Sequence, residues 1–431
     1  MSHQPTQSVL VRAIGRWGLT ALVVNTIIGS GIFGLPGVVA GLVGSASLLA
    51  YLIAAAGIGV IMACFAEVAS QFREAGGPYL YARVAFGRFL GLQMGWLAWL
   101  VRLTSAAANS NLFLIYLAEF WPQAKQPLPR ALVLTLLVGL LAVANIRGVR
   151  MGANLSTAFT VAKLVPLLVF IAVGLFFVHG EIPIGGSTAD KAAWFKAILV
   201  LVFAYGGFEA ALMPMGEAKD PRRDAPFALF AALAACTLVY TLVQIVVQGV
   251  LPDAAAASDR PLADAARQFL GPAGAALISA GALISVYGYL SGQMLSAPRL
   301  VFALAEQKDF PGVLSRLHAR FRTPHVAIAF YAVLVWVLAI RGSFLWNAII
   351  SAAARLFTYG LVCAALLVLR RKQPDAAAYR LPAGAVFALL GVALALVLVS
   401  GMSRSELAVI AGTMAIAFAN WLWARRGMPF K

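Results

Sequence analysis

The chain has 431 residues, 62% of them hydrophobic and only 11% charged, with a formal net charge of +17 and a mean hydropathy of +0.88. A soluble globular protein is nearer half apolar and a quarter charged, so this composition excludes that class and indicates an integral membrane protein. The basic excess does not point to nucleic acid as a partner, because Lys and Arg sit in short segments between long apolar runs, where they set orientation in a bilayer.

A crossing helix needs about 20 mainly apolar residues. Twelve such runs follow one another, at 17–39, 46–71, 88–119, 128–146, 149–178, 194–215, 226–251, 271–304, 324–341, 343–369, 381–401 and 405–424. The first is too long for a signal-peptide core and has no convincing cleavage site, so removal of a leader is not expected. With an even number of spans, both termini share a side. Arg16, Arg73, Arg83, Arg223 and the run Arg370 to Lys372 belong to the basic majority on that side, against a few residues such as Lys125, Arg130 and Arg260 opposite. The positive-inside rule therefore predicts a multi-pass protein of the cytoplasmic (inner) membrane with both termini in the cytoplasm.

Within the first run, Asn25 to Gly37 reads NTIIGSGIFGLPG. Gly and Pro weaken a helix interior, and in lipid a broken helix is tolerated only where protein or a water-filled cavity satisfies the freed backbone groups. An unwound turn at Gly29-Ser30-Gly31 presents N–H donors backed by a half-helix N-terminus, which suits a carboxylate. Close packing of small residues is the competing reading. The sixth run is interrupted in the same way, at Gly206-Gly207 with Pro214 beyond. Spans one and six enter the membrane from opposite sides, as a five-plus-five inverted repeat requires. The expected fold is thus all-α with twelve transmembrane helices. Residues 1–16 form a tail, 17–178 and 194–369 the two repeats, 381–424 two further spans and 425–431 a second tail.

A charge at mid-membrane costs roughly 2.5–3.5 kcal/mol on insertion scales, so each calls for a partner or a role. Lys163 lies near the centre of span five at the depth of Gly29 to Gly31. Its ammonium is placed to donate to carbonyls freed by the first break, standing where a bound cation would stand, and it is a candidate proton carrier. Glu209 directly follows the second break and is a candidate gate, proton carrier or tie to a neighbouring helix. Glu67, near Arg73 and a span end, reads as structural. Arg355, preceded by the small residues Ser351 to Ala354, implies close helix contact with a buried partner. Arg102 adjoins the polar run Thr104, Ser105, Asn109, Ser110 and Asn111, a face that must look at protein or water. Cys64, Cys236 and Cys363 lie in apolar runs and read as packing residues. The four histidines lack metal-ligand spacing and no phosphate-binding Gly-rich loop occurs, so neither a metal, a cofactor, an enzymatic activity nor ATP drive is expected.

GSGIFGLPG in span one, FAEVASQFREAGGPYLYARVAFG from Phe65, and FAYGGFEAALMPMGEAKDPRRDAPFA from Phe203 resemble the amino acid–polyamine–organocation transporters, as do SAPRLVFALAEQKDFPGVLSRLHARFRTPHVAI and ARLFTYGLVCAALLVLRRK further on. The resemblance covers nearly the whole chain. It implies alternating access, with the substrate carboxylate on Ile28, Gly29, Ser30, Gly31 and Ile32. The amine would lie on carbonyls of Phe203, Ala204 and Gly206, with Phe203 as an aromatic gate. Glu209 matches an acid of the outer gate, Lys163 a lysine that replaces sodium in sodium-independent members, and Tyr289 and Gln293 fall near the pocket. A stretch that usually reads Ala-Arg-Asp-Gly is here AEQKDF, a departure expected to touch a loop and not the site. Arg102 has no counterpart in familiar members and is the candidate for side-chain specificity.

The expectation is a sodium-independent amino-acid transporter, coupled to protons or exchanging, that carries neutral L-amino acids, because Arg102 would repel a cationic side chain. The alternatives are a cationic amino-acid or polyamine exchanger and a membrane receptor that binds an amino acid without moving it.

Overall fold

The computed structural model describes residues 15–72, 77–148, 153–178, 189–212, 219–252, 255–374, 376–377 and 379–426. Among them, regular structure is helical without any strand. The first apolar run divides into α1 (Arg16–Ile27) and α2 (Ser30–Val43), followed by α3 (Ser47–Ser70), α4 (Gly77–Phe86) and α5 (Arg88–Leu117). Next come α6 (Pro127–Ile146), α7 (Ala153–Gly174), α8 (Lys191–Tyr205) and the single turn α9 (Phe208–Ala211). The remainder comprises α10 (Pro221–Val250), α11 (Pro261–Glu306), α12 (His325–Arg341), α13 (Phe344–Lys372), α14 (Gly384–Ser400) and α15 (Arg404–Arg426).

Seven helical stretches of the described residues are long and apolar enough to cross a membrane. α6 shows what solvent they suit: Leu128, Leu132, Leu136 and Leu140 recur every fourth residue and are all more than half exposed. That spacing places them in one stripe along the helix. Such a stripe is a liability in water and needs no cover in hydrocarbon. α5 has the inverse pattern, for its polar residues Arg102, Thr104, Ser105, Asn109, Ser110 and Asn111 are all buried.

Both expected breaks are present. α1 ends at Ile27, Ile28 and Gly29 leave helical geometry, and α2 starts at Ser30. α8 ends at Tyr205, and Gly207 takes φ of 114° before α9, a conformation open to glycine because it has no Cβ. Pro214 and the remainder of the sixth run lie outside the described residues, as do Arg73 and most of both tails.

Two segments differ from the sequence expectation. Residues 77–86, read as a connection, form α4, which buries Tyr81, Ala82 and Ala85 and stops at Gly87 with φ of 88°. Its ten residues are too short to register as a span, and only tertiary packing makes so short a helix stable. Residues 261–270, outside the eighth run, form a first helical segment of α11, and the chain breaks at Gly271, whose φ of 65° precedes Pro272 at the expected start of that run. As expected, the AEQKDF segment is a loop from Gln307 onward, and within it Asp309 is buried and holds Arg88 at 2.5 Å. Lys308 there takes φ of 60°, the left-handed geometry for which a terminal glycine is the usual choice.

α1 packs on α10 and α9, α2 on α8, α5 on α13 and α11, and α7 on α11. The two broken helices are thereby brought together, α2 against α8 and α1 against α9.

Candidate functional site

The breaks meet at close range because glycine allows it. A Cβ added to Gly31 would stand 2.8 Å from the Cα of Ala204, and one added to Gly207 would collide with the carbonyl of Thr26. Between the breaks lies a narrow pocket of about 20 Å³, lined by Gly29, Ser30 and Gly31 from the first, Phe203 and Gly206 from the second, and Asn109 among others. Ser30 Oγ and Asn109 Oδ1 are buried there without a hydrogen-bond partner among the described residues. An unsatisfied buried polar atom costs about 1–3 kcal/mol. A pocket carrying two of them is suited to a polar occupant.

A larger cavity of about 270 Å³ adjoins it, shares Thr26, Tyr289 and Arg355 with it, and extends to Pro78 and Tyr79 on α4. Of the expected binding residues, Gly29, Ser30, Gly31, Phe203, Gly206 and Tyr289 line the narrow pocket, and Ile28, Tyr289 and Gln293 line the larger cavity. Ile32 and Ala204 line neither and are buried in packing, with Ala204 against Gly31. The Phe203 ring meets Phe344 edge-on at 6.3 Å and lies under the Arg355 guanidinium at 5.6 Å.

Lys163 reaches the first break. Its Nζ donates to the carbonyls of Asn25 at 2.8 Å and Ile28 at 2.7 Å, so the ammonium satisfies acceptors that the unwound turn leaves without helical partners. Pro166, about one turn further on, packs against Gly281 of α11, where an added Cβ would stand 2.7 Å from its Cγ.

At the second break, Glu209 is engaged on three sides. It accepts from Arg355 Nε at 3.0 Å, Tyr359 Oη at 2.9 Å and the backbone N–H of Gly207 at 2.9 Å. The partner expected for Arg355 is therefore Glu209, and Arg355 also lines both cavities, which the sequence reading did not assign to it. Its side chain continues the network to Ser351 at 2.9 Å and Ser105 at 3.4 Å. Arg102 projects into the larger cavity, where Nη1 donates to Ser296 Oγ at 3.2 Å and Gln293 Oε1 at 3.5 Å. Gln293 Nε2 in turn donates to Tyr289 Oη at 3.1 Å.

Glu67 lies apart from this site and forms a bidentate pair with Arg370, at 2.7 and 2.6 Å, while accepting from the N–H of Leu381. Its partner is thus Arg370 and the role structural. The three cysteines are buried free thiols.

Tyr240 of α10 was missed from the sequence. Its hydroxyl stands 3.0 Å from the carbonyl of Ile27 and 2.9 Å from that of Ala204, joining the ends of α1 and α8. A tyrosine at mid-depth of an apolar run needs a partner for its O–H, and that need was the available signal.

A family model described as amino acid permease matches residues 14–419 of the chain. A methylthioribose transporter of Bacillus subtilis (strain 168) is 27% identical over 414 residues, covering 89% of this chain and 86% of that protein. A serine/threonine exchanger of the same organism is 30% identical over 337 residues, covering 76% of each. Its branched-chain amino acid permease is 26% identical over 392 residues, covering 85% of this chain and 82% of the relative.

Proposed function

The chain belongs to the amino acid permease family of the amino acid–polyamine–organocation superfamily, and from that premise we propose a sodium-independent secondary transporter working by alternating access. It is a transport protein and not an enzyme. The observation that carries the sodium-independent reading is the Lys163 ammonium within 2.8 Å of two carbonyls at the α1 break. A fixed cation in that place supplies the charge that a bound metal ion would otherwise bring to the unwound turn.

In this proposal the substrate carboxylate docks on the N–H groups of Gly29 to Gly31 with the Ser30 hydroxyl, and the amine faces carbonyls at the second break and Asn109 Oδ1. Backbone donors at a half-helix N-terminus favour the anion. The pocket of about 20 Å³ holds little more than one water, so entry of an amino acid requires the two broken helices to separate. The cavity reaching α4 is the path to one side, and the Phe203–Phe344 contact closes the other. We place the protein in the inner membrane with twelve spans, in two inverted repeats and a final pair, and with both termini cytoplasmic. The path along α4 then leads to the cytoplasm.

The substrates are amino acids without a cationic side chain, neutral ones being the sequence expectation. Glu209, the acid that would welcome a cation, is held by Arg355, Tyr359 and Gly207, and Arg102 stands in the cavity. That disfavours the cationic amino-acid or polyamine alternative. Coupling is to protons or by exchange. Counterflow into liposomes with twenty labelled amino acids, sodium-free and at two pH values, tests the proposal. Accelerated uptake of a subset supports transport, whereas binding without counterflow favours a receptor.

A further inference from the structure

The walls of the larger cavity carry three basic side chains, Arg102, Lys163 and Arg355, against one acid, Glu209. Glu209 faces Arg355 at 3.0 Å, and Lys163 serves the carbonyls of the α1 break. Low-dielectric walls lined by one sign of charge concentrate the opposite sign. The α-carboxylate and α-ammonium of an amino acid cancel each other, so the positive excess matches an additional negative charge on the side chain.

The position of that charge follows from helix periodicity. Arg102 and Asn109 are seven residues apart on α5, two turns on one face and about 10 Å along the axis. Tyr289 and Ser296 are related in the same way on α11, with Gln293 between them. Asn109 and Tyr289 line the narrow pocket, while Arg102, Gln293 and Ser296 line the larger cavity. Two neighbouring helices therefore present matched pairs of levels, one at the breaks and one two turns away.

We propose that the substrate is an amino acid with a second carboxylate on its side chain, held by Arg102 together with Gln293 and Ser296. The proposal rests on the transporter reading above and narrows its substrate class. A guanidinium presents a planar fork matched to both oxygens of a carboxylate, and the Ser296 hydroxyl and Gln293 amide add donors at the same level. Acidic side chains satisfy the exclusion of cations that led to the neutral expectation.

The test is sodium-free counterflow with L-glutamate and L-aspartate against L-glutamine and L-asparagine, pairs that differ in charge and little in shape. The wild-type protein favours the acids by roughly tenfold or more in apparent affinity, and R102Q loses that preference. Ser296→Ala, a smaller change at the same level, reduces the preference in the same direction. Wild-type protein that carries neutral amino acids and rejects the acids overturns the dicarboxylate proposal and leaves the transporter reading intact. Carriage of no amino acid overturns both. An acid preference unchanged in R102Q removes Arg102 from the assignment, and the wild-type comparison decides the substrate class even if that variant does not fold.

Discussion

The ammonium of Lys163 stands 2.7 Å from the carbonyl oxygen of Ile28, which joins the middle of α7 to the turn where α1 stops being helical. The same nitrogen holds Asn25 at 2.8 Å. Hydrogen bonds from a charged donor contribute about 1.5–3 kcal/mol each, enough to hold an unwound turn in one geometry. Lys163→Met preserves length and removes both bonds. Uptake by this variant in liposomes is expected to fall by at least about tenfold, while size-exclusion chromatography in detergent shows a folded protein. Wild-type rates in Lys163→Met would contradict the assignment.

Glu209 and Arg355 form a buried pair whose side chains are 14% and 6% exposed. Breaking such a pair from one side leaves an uncompensated charge and costs about 3–5 kcal/mol. Glu209→Gln and Arg355→Met should each lower thermal stability strongly. The double variant should lose less than the two single losses added together, since neither charge is then stranded. Additive losses in a detergent thermal-shift assay would mean the two groups act separately.

Tyr240 links the two breaks through one hydroxyl. Tyr240→Phe leaves the ring and removes the donor that serves Ile27 and Ala204. The expected loss is about 1–3 kcal/mol of stability. Transport should decline as well, because the ends of α1 and α8 are no longer tied. Unchanged stability and transport would show that the hydroxyl is dispensable.

Two glycines in the site should behave differently. A Cβ at Gly29 meets nothing closer than the carbonyl of Ile27 at 3.9 Å, so Gly29→Leu is not blocked at its first atom, and its side chain occupies the narrow pocket. It should abolish amino-acid binding in a scintillation proximity assay without unfolding the protein. A Cβ at Gly206 would stand 2.6 Å from Arg355 Nε. Gly206→Ala should therefore displace the guanidinium from Glu209 and lower both stability and binding. Full binding by Gly29→Leu would remove the backbone site.

Much of this arrangement was legible in the chain because lipid makes local rules strict. A glycine-broken run or a lysine without an acid in its own span has few permitted explanations in hydrocarbon, and both pointed to what is found, a helix break at Gly29 and the Lys163 bonds to Asn25 and Ile28. The partners were harder to read. Arg355 and Glu209 lie 146 positions apart, and nothing in either segment names the other. Glu67 has Arg73 nearby in sequence, yet it pairs with Arg370, 303 positions away, because α13 packs beside α3. α4 escaped notice because an amphipathic helix of ten residues has no span signature, and Tyr240 because its role is fixed by two helix ends that only the fold brings within reach.

Sodium dependence of amino-acid uptake bears most directly on the central claim, that a lysine ammonium takes the part of a bound cation at the first helix break. Purified protein in liposomes preloaded with amino acid should accumulate label equally with sodium or with choline outside. Uptake that appears only under an inward sodium gradient would contradict it.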